Sequence, residues 1–323
     1  MYHDLTLRDG SHAVRHKLSL DTIEKYCTFA EDAGVKVVEV GHGNGLGASS
    51  LLIGESLHSD YEMLRVARKH LKQTKLSVHI IPGMATISKD IDPAIEIGVD
   101  IFRVASHCSE ATLTKSHIEY LHSKGKYVIG VLMMASKCSV RTLLEEATKM
   151  KTFGASAIVI MDSTGSFLPL DVYNRIKTLC TLEVPIGFHG HNNMHLAVAN
   201  SLAAIEAGAS IIDVTLKGFG AGAGNTPLEV METLKPSGLD IQKIISHHDI
   251  FEFPSPVCKP VNLLTAKHNL FSGFEKHILE ASTKYSVPII ELIASLGPLV
   301  AGQEDMIHVI AQSLSTLKKY KTP

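Results

Sequence analysis

Two histidines one residue apart, His189 and His191, close the apolar run Val184-Pro-Ile-Gly-Phe-His-Gly-His. In an extended strand residues i and i+2 project from one face, so both imidazoles can reach a single divalent cation, while Gly190 leaves the opposite face uncrowded. Taken alone, such a pair is more often solvated or satisfied within a core. A second segment, Asp4-Leu-Thr-Leu-Arg-Asp-Gly-Ser-His12, has the same form, a short apolar strand that stops in charged residues. Asp9 there offers a hard oxygen beside the two nitrogens. That mixed set suits Mn²⁺, Mg²⁺, Fe²⁺ or Co²⁺ as well as Zn²⁺, and it leaves coordination positions open for water or substrate. The competing reading pairs Arg8 with Asp9 as a surface ion pair at the strand end.

Whether residue 9 can meet residue 190 depends on architecture. Strand-like runs at 3–8, 36–40, 76–81, 99–105, 127–133, 156–161, 184–189 and 210–216 alternate with segments of helical periodicity, many of which end in glycine. Alternating units of this length predict an α/β fold with a parallel sheet, and eight of them predict a closed (β/α)8 TIM barrel. In a barrel the first and seventh strands are separated only by the eighth, and their C-terminal ends share one mouth, so Asp9 and the histidine pair converge. An open doubly wound sheet is the competing topology.

The 323 residues hold one barrel of roughly 250 residues and a smaller addition. A net charge of −2 without a basic stripe argues against nucleic acid as the main ligand. No long apolar run or signal peptide is evident, so no membrane association and a cytoplasmic setting are expected. The five cysteines are scattered and without CxxC spacing, which predicts reduced thiols. We divide the chain into a catalytic barrel, residues 1–235, and a C-terminal helical lobe, residues 236–323, packed over or beside the mouth and contributing to the active site. The text just beyond the boundary is irregular, and His247 and His248 read as a solvated loop, because adjacent histidines point apart.

The segments Leu5-Thr-Leu-Arg-Asp-Gly-Ser-His12, Val38-Glu-Val-Gly-His-Gly-Asn-Gly-Leu, His189-Gly-His-Asn-Asn, Gly218-Phe-Gly-Ala-Gly-Ala-Gly-Asn-Thr-Pro-Leu-Glu-Val and Gly302-Gln-Glu-Asp-Met-Ile together resemble the 4-hydroxy-2-oxovalerate aldolase family. These are metal-dependent pyruvate aldolases of the hydroxymethylglutaryl-CoA-lyase-like barrels, and the likeness spans nearly the whole chain. The resemblance implies a Mn²⁺-type cation, or another such as Co²⁺ or Mg²⁺, held by Asp9, His189 and His191, with catalytic roles for Arg8, His12 and Tyr285. It implies cleavage of a 4-hydroxy-2-oxo acid to pyruvate and an aldehyde, and an acylating aldehyde dehydrogenase as partner; a homo-oligomer is also compatible with it.

The chemistry fits those residue types. Cleavage between C3 and C4 leaves negative charge on an enolate oxygen, which a Lewis-acidic cation and a permanently charged guanidinium stabilise. The C4 hydroxyl must also lose its proton, and His12 is placed on the same loop as Asp9 to take it; otherwise it braces the metal carboxylate. Tyr285 would orient the C4 oxygen, where the plain alternative is a packed helix residue. Ser163 in Met161-Asp-Ser-Thr-Gly either binds the substrate carboxylate or caps the next helix together with Asp162. His42 and His107 read as hydrogen-bonded supports at the mouth. His79 and Ile81 share a strand face that would line the aldehyde pocket, with His79 standing where the family usually carries an aliphatic residue. The glycine string from Gly218 follows the last strand rather than the first and departs from a dinucleotide fingerprint at Ala223, so it reads as a backbone turn lining the mouth. The alternatives are a Claisen-type synthase of the isopropylmalate or homocitrate kind acting on acetyl-CoA, and a barrel retained only as a scaffold.

Overall fold

The computed structural model describes residues 1–297, 299 and 302–321. Among these, strands and helices alternate in chain order: β1 (Tyr2–Leu7), α1 (Leu20–Asp32), β2 (Val37–Val40), α2 (Asp60–His70), β3 (Lys75–Ile80), α3 (Asp92–Ile97), β4 (Ile101–His107) and α4 (Lys115–Ser123). The same rhythm continues through β5 (Tyr127–Met133), α5 (Val140–Phe153), β6 (Ala157–Asp162), α6 (Pro169–Leu179), β7 (Ile186–Gly190), α7 (Ala197–Ala207), β8 (Ile211–Val214) and α8 (Leu228–Leu234). All neighbouring strands pair in parallel and β1 closes on β8 through Tyr2 to Ile212 and Asp4 to Val214, giving a TIM barrel.

Period-two alternation sorts each strand between two cores. Val37, Ile101, Ala105, Ile129, Val131, Val159, Met161 and Ile211 pack together inside the barrel, while their sequence neighbours Val38, Phe102, Val104, Val128, Ile158 and Ile212 pack under the helices. Helices start where a hydroxyl accepts a free backbone N–H: Ser19 from Thr22, Ser139 from Thr142, and Ser59 in a reciprocal box with Glu62.

Beyond α8 the chain first returns to the barrel. Leu239 to Phe253 was expected to be irregular but contains α9 (Ile241–His247), capped by the Asp240 side chain on the Lys243 N–H. Phe251 and Phe253 stack on one another and lie against Tyr26 of α1, and the His247 ring stacks on Phe29, so His247 ends a helix rather than standing in a solvated loop. A separate core of Val261, Phe274, Ile278, Leu292, Ile293 and Ile307 then joins α10 (Pro260–Lys267), α11 (Glu275–Tyr285), α12 (Ile289–Ser295) and α13 (Glu304–Lys321). No helix among the described residues is long and apolar enough to cross a membrane.

The lobe is tied to the barrel loops by buried hydrogen bonds. The Ser272 N–H donates to the Ser163 carbonyl at 2.8 Å, its hydroxyl donates to Asn193 Oδ1 at 2.8 Å, and Asn193 Nδ2 donates to the Asn262 carbonyl at 3.3 Å.

Candidate active site

Asp9 opens the tight turn that follows β1, His189 lies in β7, and His191 stands one residue past it in a bridge to Asn225. All three are buried at the barrel mouth, and one donor atom from each lies within 4.8 Å of the others. His189 Nε2 is 3.4 Å from His191 Nε2, so two ring nitrogens face one another across the point that Asp9 also reaches.

The groups around these donors fix their form. Asp213 of β8 lies with Oδ2 3.2 Å from His189 Nδ1, leaving Nε2 toward the mouth. Burial, and next the neighbouring His189, pushes the His191 imidazole down to about 3, so it is neutral, the form that binds a cation. Burial opposes ionisation of Asp9, but Arg8, foremost among the cationic groups beside it, holds its carboxyl well below the usual range. Asp9 Oδ2 also accepts Asn225 Nδ2 at 2.6 Å and the Ala221 N–H at 3.4 Å from the glycine string, which therefore positions this carboxylate. Gly220 is required there: a Cβ would come 2.2 Å from Asn225 Nδ2 and 2.9 Å from Asp9 Oδ2. One carboxylate and two imidazoles, with a second carboxylate behind one of them, fit a divalent transition metal.

Arg8 is buried, not a surface partner of Asp9. Its Nε donates to Glu39 Oε1 at 2.5 Å, and its Nη1 donates to Asp9 Oδ1 at 2.8 Å and the Gly43 carbonyl at 3.1 Å. Its buried Nη2 has no protein partner among the described residues. A planar donor held on three sides with one nitrogen unspent is suited to an anionic oxygen. Beneath it, Arg103 of β4 grips Asp213 through both terminal nitrogens, and its Nε lies 3.1 Å from Glu39 Oε2. Asp9, Arg8, Glu39, Arg103 and Asp213 thus form a continuous buried chain of alternating charge, with His189 against its last carboxylate. Glu39, Arg103 and Asp213 are absent from the sequence reading; the signal available was an ionisable residue in mid-strand in each of Val-Val-Glu-Val, Ile-Phe-Arg-Val and Ile-Ile-Asp-Val.

His12 is close to the site, its ring against Gly43 and edge-on to His16 at 4.9 Å. Burial lowers its pKa, against the pull of Asp9, so it is in the base form at neutral pH. His16 stacks on His42 at 3.6 Å, and His42 Nε2 meets the Gly54 carbonyl at 3.0 Å, consistent with a supporting role. His107 instead pairs with Ser109 at 3.0 Å. His79 is buried and inward-facing, with Arg8, Arg103, Asp9 and His189 as its charged neighbours; burial first and Arg8 next hold it well below the usual imidazole range, and its Nδ1 has no protein partner among the described residues. Ile81, one residue past β3, packs on the inner-barrel cluster.

Ser163 does not cap α6, whose N-cap is Leu168; its Oγ accepts the Met134 N–H at 2.9 Å. Asp162 likewise closes its own loop, accepting the N–H groups of Ser166 and Phe167. Tyr285 ends α11 half-buried in the lobe core, its ring 6.2 Å from His308. Between mouth and lobe lies a cavity of about 620 Å³ lined by His12, Arg15, Asn44, Gly220, Lys276 and Glu304, among others. The cysteines are free, as expected from their spacing.

Comparison with known proteins agrees with this architecture. The HMGL-like family model matches residues 1–254, and that of a DmpG-like communication domain matches residues 257–316. The chain is 48% identical to the 4-hydroxy-2-oxovalerate aldolase of Pectobacterium atrosepticum over 97% of its own length and 94% of the relative's. It is 46% identical to that of Spirochaeta aurantia over 97% and 95%. Among solved structures, the N-terminal domain of a putative aldolase from Bacteroides vulgatus superposes with a TM-score of 0.73 at 23% identity, covering 91% of this chain and 99% of that one. The carboxyl transferase domain of Rhizobium etli pyruvate carboxylase with pyruvate and biocytin gives 0.82 at 17%, covering 98% and 60%; both likenesses concern the fold alone. The chain belongs to the 4-hydroxy-2-oxovalerate aldolase family, a barrel of the HMGL-like type joined to a DmpG-like communication domain.

Proposed function

We propose that this protein is a divalent-metal-dependent lyase that cleaves a 4-hydroxy-2-oxo acid, such as 4-hydroxy-2-oxopentanoate, reversibly to pyruvate and an aldehyde by way of the pyruvate enolate. The observation that carries this reading is the convergence of Asp9, His189 and His191 beside an Arg8 whose Nη2 is unspent. Mn²⁺ is the proposed cation, with Co²⁺ or Mg²⁺ as substitutes; when bound, it supplies Lewis acidity toward the 2-oxo oxygen. Arg8 holds a fixed positive charge where the enolate oxygen develops. His12, neutral at pH 7, takes the C4 hydroxyl proton directly or through a water.

Ser163 still has its hydroxyl proton to donate to the substrate carboxylate, since its oxygen is the acceptor from Met134. His79 and Ile81 face the departing aldehyde. Tyr285, by resemblance, orients the C4 oxygen from the lobe. We assign catalysis to the barrel of residues 1–235; of residues 236–323, the stretch to Phe253 packs back on the barrel and the helical lobe begins with α10. The communication-domain match supports an acylating aldehyde dehydrogenase as the lobe's partner. Free cysteines support a cytoplasmic setting.

Coupled detection of pyruvate from racemic 4-hydroxy-2-oxopentanoate tests the reading. Chelation should abolish pyruvate release and Mn²⁺ should restore it. Full turnover in a preparation shown to be metal-free, or release of a coenzyme A thiol from acetyl-CoA and an oxo acid without aldol cleavage, would overturn it.

A further inference from the structure

The lobe contains a second constellation of metal-ligating side chains, far in sequence from the barrel site. On α11, His277 and Glu280 are three residues apart and so share one helix face. On α13, His308 faces them: the two imidazole centroids are 6.2 Å apart and edge-on, and one donor atom from each of the three residues lies within 4.8 Å of the others. The packing explains the alignment. Ile278 and Ala281 of α11 and Ile307 and Ala311 of α13 are buried together in the lobe core, so the residues next to them, His277, Glu280 and His308, line the rim of the same helix seam.

We infer that His277, Glu280 and His308 form a second, zinc-type cation site that staples α13 to α11. Two nitrogens and one carboxylate oxygen are a donor set zinc accepts, with a further position left for water. Tetrahedral bonds of about 2.0–2.2 Å hold donor atoms roughly 3.3–3.6 Å apart. The three donors lie within 4.8 Å of one another, and the half-exposed Glu280 has room to rotate inward. That carboxylate is paired with Lys276, whose Nζ lies 3.9 Å from Glu280 Oε1; such an exposed, long ion pair holds its partner weakly and yields to a divalent ion. Burial lowers the His277 pKa, so this imidazole is neutral at pH 7, as a ligand must be.

The site would act on the active-site roof. Glu304, one helical turn before His308, lines the mouth cavity with His12 and His277, and the Tyr285 ring rests against His308. A cation across the seam fixes the first turn of α13 and the end of α11 together.

Zinc stoichiometry by elemental analysis after gel filtration separates the two sites. The full-length His189→Ala/His191→Ala variant, which lacks the barrel site, should retain one Zn²⁺ per chain, with a zinc-dependent rise in Tm. Adding Glu280→Gln or His308→Gln should remove that equivalent or weaken it by more than about 10–100-fold, the scale for losing even an outer hydrogen-bond partner of a ligand. The otherwise unaltered chain should bind two equivalents, falling to one in Glu280→Gln, an exposed change that leaves the core intact. No zinc on the barrel-deleted variant, or an equivalent that survives both lobe substitutions, would refute the site; neither result bears on aldol cleavage.

Discussion

His189 Nδ1 lies 3.2 Å from Asp213 Oδ2, and the same carboxylate is clamped by Arg103. One side chain therefore both aims an imidazole proposed to ligate the metal and neutralises a buried guanidinium. Asp213→Asn should lower metal affinity by about 10–100-fold, because the ring loses the partner that sets its tautomer. It should also cost about 3–5 kcal/mol of stability, because Arg103 is left undercompensated in the barrel interior. Metal titration and denaturant unfolding check the two effects; a variant unchanged in both would separate Asp213 from the site.

Arg8→Lys keeps the positive charge but not the planar fork that serves Glu39, Asp9 and the unspent position at once. Fold and metal content should persist while kcat drops roughly a hundred- to a thousandfold, the about 2.7–4 kcal/mol typical of deleting one preorganised donor. Exchange of the pyruvate methyl protons in deuterated water isolates enolisation from aldehyde handling. A normal exchange rate in this variant would move Arg8 out of the enolate's reach.

His79 is neutral and buried, with one ring nitrogen unmatched. His79→Leu should shift the ratio of kcat/KM values from aldehydes bearing a polar substituent toward plain alkyl aldehydes by roughly 1–3 kcal/mol, the scale of one pocket contact. An identical aldehyde profile at saturating pyruvate and Mn²⁺ would show that His79 serves only the barrel interior.

Part of the acid sensitivity should come from His3, on β1 away from the mouth, whose pKa is pushed down to about 3 by burial first and by Arg103 next. Between that value and the unfolded value near 6.5 the unfolded chain binds a proton that the native chain does not. Stability is therefore full above about pH 6.5 and falls as pH drops toward 3, by up to about 1.4 kcal/mol per pH unit for this one group. Unfolding free energies of His3→Gln from pH 7 to 4 should decline less steeply than those of the unaltered chain; parallel curves would assign the loss to other groups.

The barrel was legible because its signal is local: apolar alternation, then helical spacing, repeated. The convergence of Asp9, His189 and His191 was legible because closure brings the ends of β1 and β7 together whatever the details. Glu39, Arg103 and Asp213 were not, since a charge within an apolar strand reads as an interruption until its partners on other strands are known. α9 was missed for a related reason: seven residues between Asp240 and His248 give too few turns for periodicity, and the segment is held by aromatic contacts with Tyr26 and Phe29 across more than two hundred residues of chain. Ser163 was read as binding or capping, yet its Oγ holds the Met134 amide, a loop contact that sequence spacing does not encode.

The buried charge chain also sets an order of events. Arg8 and Arg103 stand against Asp9, Glu39 and Asp213, two guanidiniums against three carboxylates, so this buried chain has one carboxylate more than it has guanidiniums. That excess attracts a cation and repels an oxo acid. A divalent ion held by Asp9, His189 and His191 would turn that balance toward positive, and the same mouth would then favour a carboxylate. Electrostatics would thereby bias loading toward metal before the anionic substrate.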